Sequence, residues 1–205
     1  EPGVRLVVTG STRVFSTLDD PAADAVREGL AAFAASGRKG QVLLPAMIYG
    51  AKEDRNVGRV LRFLARFPRW CPIPVPLPDG GRHTVQPIHV DDVAACVVAA
   101  LERPESDGAP IVLAGPAPIP YARMVRECAA ALGRRAIVIP VPVRALALAA
   151  RLMAGVGLKP PFDAKELTRA AEDKAFDVAA MRDRLGVNPR PFADGVAMKV
   201  VRGDY

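Results

Sequence analysis

The hydrophobic pattern opens on an unbroken apolar, β-branched run at 4–9 (VRLVVT), the pattern of a strand buried on both faces of a parallel sheet. Small residues at 10–16 form a turn. Asp19, Asp20 and Pro21 then start a helix in which Val26, Leu30 and Phe33 share one face, and Gly37 stops it. A second buried run follows at 41–44 (QVLL). Strand, helix, strand is the building unit of a parallel sheet.

Further along, Asn56 is placed to cap a helix whose Val57, Val60, Leu61 and Leu64 form a stripe. Five prolines at 68–78 dictate an extended segment that cannot be a central strand. Asp79, Gly80 and Gly81 make a turn, and 85–90 reads as a short strand. Asp91 is placed to cap a helix carrying Val93, Cys96, Val97 and Leu101. Residues 111–114 form another buried strand. Pro120 starts a helix with Met124, Val125, Cys128 and Leu132, closed by Gly133, and 136–141 is a strand. Short helices are predicted at 143–153, 164–172 and 178–185, the last stopped by Gly186. The fold class is α/β, increasingly helical towards the end.

The formal charge of +6 raises the question of nucleic acid. Arg27, Arg59, Arg62, Arg66, Arg126, Arg134, Arg151 and Arg182 are spread over helices, with no interleaved aromatics, so the pattern favours solvated helix faces. The same charge suits an anionic small ligand such as a dinucleotide. Three separated cysteines (Cys71, Cys96, Cys128) and two histidines (His83, His89) give no metal-ligand spacing, and the sparse cysteines fit a reducing, cytoplasmic setting. The apolar stretch at 137–158 is broken by Arg144, Arg151 and prolines, which argues against a membrane span.

Three segments carry a family resemblance. The stretch 7–16 (VVTGSTRVFS) resembles the strand-five motif of extended short-chain dehydrogenases and nucleotide-sugar epimerases. Residues 43–50 (LLPAMIYG) are similar to their strand-six signature, Arg-Pro-x-x-x-Tyr-Gly-Pro, and 86–94 (QPIHVDDVA) to their His-Val-Asp-Asp-Val-Ala segment. The LAG turn at 113–115 and Leu-Gly-x-x-Pro-Arg-Pro-Phe at 185–192 follow in the family's order. The chain looks most like bacterial NAD-dependent epimerase/dehydratase proteins related to the complex I accessory subunit of this fold.

That resemblance implies the second half of a Rossmann-like doubly wound parallel sheet plus a small, mostly helical C-terminal substrate-side region. Residues 1–50 and 86–119 would belong to the NAD(P)-binding domain, and 51–85 and 120–205 to the substrate side. Thr9, Gly10, Ser11, Pro45, Ala46, Met47 and Tyr49 would meet the cofactor, NAD or NADP. Arg59, Arg82 and His89 would lie on the substrate side. No glycine-rich phosphate loop occurs, which implies that the first half of the sheet is absent from this chain.

Ser11 falls at the family's catalytic Ser/Thr; the alternative is a hydroxyl that satisfies backbone groups in a turn. The Tyr-x-x-x-Lys dyad, whose lysine lowers the tyrosine pKa, would fall on Ala22 and Val26, neither of which transfers protons. The family's diphosphate arginine is Val85 here. For His89 the readings are a catalytic pair with Asp91 or Asp92, or a residue packed at a strand end beside a cap at Asp91. The implied partners are a dinucleotide and a small-molecule substrate, with no nucleic acid. Contact with a membrane or respiratory complex remains an alternative.

Overall fold

The computed structural model describes residues 6–103, 109–146, 148, 173–203 and 205. The predicted helix at 164–172 and the end of that at 143–153 lie outside them. Strand β1 (Leu6–Thr9), helix α1 (Pro21–Ala35) and strand β2 (Gly40–Pro45) realise the opening unit. The Asp20 carboxylate accepts from Ala22 N at 3.2 Å, and Pro21 occupies the first turn, where a missing N–H costs nothing. β1 and β2 are parallel, with Leu6 opposite Gly40 and Thr9 opposite Leu43. On its other side β2 pairs parallel with β7 (Ile111–Leu113), Leu43 opposite Ile111.

The order β1-β2-β7 makes β2 central, and all six of its residues are buried. β1 differs from the expectation of full burial: Leu6, Val7 and Val8 are half-buried and Thr9 is exposed. It has a neighbour on one side only among the described residues.

The proline-rich segment forms β4 (Ile73–Pro78), paired parallel with β9 (Ala136–Val141) in a two-stranded sheet. Ile73 N donates to Arg135 O at 2.8 Å, which turns the N–H groups of alternate residues towards the partner. Pro74, Pro76 and Pro78 therefore fall at positions that need no donor, while Ile73, Val75 and Leu77 are buried.

The predicted strand at 85–90 is two strands. β5 (Thr84–Val85) pairs antiparallel with β8 (Ile119–Pro120), whereas β6 (Ile88–His89) pairs parallel with β3 (Ile48–Tyr49). The break sits at Gln86 and Pro87. The Gln86 amide donates to Gly115 O (2.7 Å) and Phe176 O (3.1 Å) and accepts from Phe176 N (2.7 Å).

Two caps differ from the sequence reading. Helix α2 (Val57–Ala65) is capped by Asp54, whose two oxygens accept from Asn56 N (2.7 Å) and Gly58 N (2.9 Å); the Asn56 side chain makes no cap bond. Helix α3 (Val90–Glu102) is capped by His89 and not by Asp91, because His89 Nδ1 accepts from Asp91 N at 3.2 Å. Helices α4 (Tyr121–Ala131) and α5 (Ala179–Leu185) match their predictions. Helix α6 (Phe192–Arg202) was not predicted.

Two apolar cores form. One gathers Leu43, Ile88, Cys96, Ile111 and Leu113 with Met181 and Leu185 of α5. The other gathers Leu61, Leu64, Ile73, Met124 and Cys128 with Tyr49, Phe192 and Val196. Several of the dispersed arginines also hold backbone carbonyls. Arg27 reaches Val14 O (3.2 Å) and Ser16 O (2.6 Å), Arg62 reaches Asp54 O (3.2 Å), and Arg134 donates to Leu64 O. Among the described residues no helix is long and apolar enough to cross a membrane.

Candidate functional site

Parallel strands end with their carboxyl termini on one edge, and ligands of open α/β sheets sit outside that edge. Here the edge is built by the turns after β1, β2 and β7. Gly10 N donates to Leu43 O at 2.8 Å, and Ala46 N to Leu113 O at 2.8 Å. Thr12 Oγ1 donates to Pro45 O at 3.4 Å and joins the first two turns. Thr9, Gly10, Ser11, Pro45, Ala46 and Met47 are thus brought to one edge, with Gly115 beside them through Gln86.

Ser11 caps a short 3-10 turn (Thr12–Phe15): its Oγ accepts from Arg13 N at 3.2 Å. The turn role is therefore present, and it leaves the hydroxyl proton for a second partner. Phe15 leans on Phe176, with ring centroids 6.1 Å apart.

Tyr49 is 1% exposed. Its ring meets His89 edge-on at 5.2 Å and Phe192 at 4.9 Å, and its OH donates to Phe192 O at 3.4 Å. Burial, reinforced by Asp92, raises the phenol's pKa well above its ordinary value. The side chain belongs to the core.

His89 is equally buried. Burial and then Arg190 lower its pKa, against an opposite pull from Asp91 and Asp92. The buried Asp92 carboxylate accepts from Arg190 N at 3.0 Å and pairs with Arg190 Nε and Nη2 at 2.9 and 2.7 Å. Asp91 faces Arg190 (3.6 Å), Arg202 (3.8 Å) and His89 (3.5 Å). The segments 43–50, 86–94 and 185–192 are therefore one junction, which sequence reasoning noticed as motifs but not as contacts.

Arg59 lies on the exposed face of α2, and Arg82 on an exposed turn. Next to it, His83 approaches Asp173 at 3.9 Å, and Asp173 accepts from Thr84 N at 2.8 Å. The Thr84 hydrogen bonds hold the Asp173 carboxyl below its usual range. No group of three or more metal-binding side chains occurs among the described residues.

No protein-family model and no curated protein matches the sequence. Solved structures do match. The structure described as gox2253 superposes with a TM-score of 0.68 at 18% identity, over 96% of this chain and 65% of that one. UDP-N-acetylglucosamine 4-epimerase from Bacillus cereus gives 0.67 at 12%, over 96% and 64%. The Thermus thermophilus UDP-glucose 4-epimerase complex with NAD gives 0.64 at 18%, over 96% and 63%. The chain thus spans somewhat under two thirds of the length of these structures. At such identities the likeness establishes the fold: it is the Rossmann-like α/β fold of short-chain dehydrogenase and NAD-dependent epimerase/dehydratase structures.

Proposed function

We propose that this chain is part of an NAD(P)-binding protein of the atypical short-chain dehydrogenase/reductase class, without Tyr/Lys oxidoreductase chemistry. The observation that carries the reading is the pairing of a kept carboxyl edge with Ala22 and Val26 at the dyad positions of α1. Support for the cofactor comes from the fold neighbours, among them MoeE5 in complex with UDP-glucose and NAD.

The residues present fit one end of a dinucleotide. The Ser11 hydroxyl proton, Ala46 C=O and Met47 N–H are not used by the hydrogen bonds that hold the turns. They suit a carboxamide and a ribose; no glycine-rich cradle for a pyrophosphate is among them. Bound NAD(P) would supply a hydride-accepting ring. In this chain Ser11 would orient a substrate oxygen by hydrogen bonding. Neither Ala22 nor Val26 can hold the proton that hydride exchange at a carbinol requires, so binding or redox sensing is favoured over turnover. The division into 1–50 with 86–119 and 51–85 with 120–205 accompanies this reading, with α5 packed in the sheet-side core. A cytoplasmic location also accompanies it.

Isothermal titration of the complete gene product with NADH and NADPH tests the proposal. Binding of one of them without turnover of nucleotide-sugars or carbonyl compounds is the expected result. Binding of neither overturns it. Turnover would instead favour the second reading, an epimerase, dehydratase or carbonyl reductase using Ser11 with Asp91 or His89, which the epimerase-like fold supports. Against His89 in that role stand its burial and its Nδ1 bond to Asp91 N. Co-purification with a membrane complex would favour a third reading, a structural accessory subunit.

A further inference from the structure

A cleft of about 490 Å³ lies away from the sheet edge, between α4 and the start of β9. Its walls are Arg126 and Ala130 of α4, Arg134 and Arg135 of the connection, and the first three residues of β9. Among the described residues its lining has three guanidinium groups and no carboxylate. The nearest acidic residue in sequence, Glu127, is engaged by Arg123 Nε at 2.7 Å. Arg126 and Arg135 form no ion pair among the described residues; Arg134 donates to Leu64 O, and its Nε is buried without a hydrogen-bond partner.

The strand adds backbone donors. Since Ile73 N donates to Arg135 O, the groups of Arg135, Ile137 and Ile139 face β4. Ala136 and Val138 therefore turn their N–H groups to the other edge of β9, which has no partner strand among the described residues, beside the arginines. Three like charges gathered in a concavity raise the local positive potential, and a multiply charged anion relieves it while taking charge-assisted hydrogen bonds. The volume falls in the ligand-pocket range of about 300–1,000 Å³.

We propose that this cleft binds a small molecule carrying two or more phosphate charges, at a site separate from the carboxyl edge and independent of the function proposed above. An acidic peptide added to β9 as a third strand is disfavoured. Pro140 offers no N–H, so Ala136 and Val138 are the only donors before it on that edge, too few to seat a strand.

The test titrates the purified chain with inorganic tripolyphosphate at low and at physiological ionic strength. Saturable one-to-one binding is expected, weakened about tenfold or more in R126Q/R135Q. R38Q/K39Q, which removes the same charge from an exposed turn, should bind as the unaltered chain does. Both altered pairs lie on exposed side chains, and their thermal melts verify folding. Equal weakening by both variants, or no saturable binding, overturns the proposal. So does an acidic peptide that binds with the R126Q/R135Q dependence while tripolyphosphate does not, since that assigns the surface to a protein partner.

Discussion

At the scale of single residues, the pair Arg190 and Asp92 matters most. Asp92 is buried, while 26% of the Arg190 side chain remains in solvent. Removing one partner of a buried pair strands the other's charge, at about 3–5 kcal/mol. Arg190→Ala should fall towards the lower end of that range, read as a drop in the urea midpoint, and Arg190→Lys should restore only part because it lacks the planar fork. His89 makes a second case. Its folded pKa lies below the ordinary 6.5, chiefly from burial and then Arg190. Below that pH the unfolded chain binds more protons than the folded one, so stability is full above pH 6.5 and declines as pH falls towards the folded pKa. Protonation also removes the Nδ1 acceptor that caps α3. The melting temperature should therefore drop as pH falls below 6.5, and His89→Asn, which keeps a capping group without that titration, should flatten the drop. Sequence alone pointed to Asp91 as the cap. Histidine is not among the preferred capping residues, and the Tyr49 ring that packs against His89 lies far from it in sequence, so the local pattern does not show this cap.

At the scale of elements, α6 is the helix that the pattern did not predict, although α4 and β9 were placed nearly to the residue. Gly195 lies inside it and weakens the helical signal. The structure supplies the reason: a Cβ there would sit 2.1 Å from the Tyr49 OH and 2.9 Å from its Cζ. Gly50 is constrained from the other side, at φ +107° against the His89 ring. Gly195→Ala should destabilise by about 1–3 kcal/mol through overpacking. Tyr49→Phe, which forfeits the bond to Phe192 O, should cost about 1 kcal/mol. In the double variant the hydroxyl that obstructs the new methyl is gone, so the combined loss should be smaller than the sum. A double-mutant cycle in urea measures the difference, and strict additivity would show that α6 moves away instead of pressing on Tyr49. Pairing partners were less legible than helices. The run at 85–90 was visible as extended, but its division between β8 and β3 depends on the Gln86 amide finding Phe176, 90 residues away.

At the scale of the whole molecule, the fold was legible because weak motifs stood in a consistent order, whereas the division of side chains between two cores was not. Val57, Leu61 and Leu64 read as a stripe, yet nothing local assigns them to Met124 and Phe192 and not to β2. The same scale explains a stability asymmetry. β2 is flanked by strands on both sides and fully buried, while β1, among the described residues, has a neighbour on one side only and half-exposed Leu6, Val7 and Val8. An open apolar edge both frays and recruits other strands. In hydrogen exchange of this chain, the β1 amides should therefore be protected about a hundredfold less than those of β2, since local opening of β1 breaks only one ladder. The 205-residue chain should accordingly melt at low temperature and with poor cooperativity. Equal protection of β1 and β2, together with a sharp high-temperature melt, would mean that some element covers the β1 edge and that the sheet is complete as it stands.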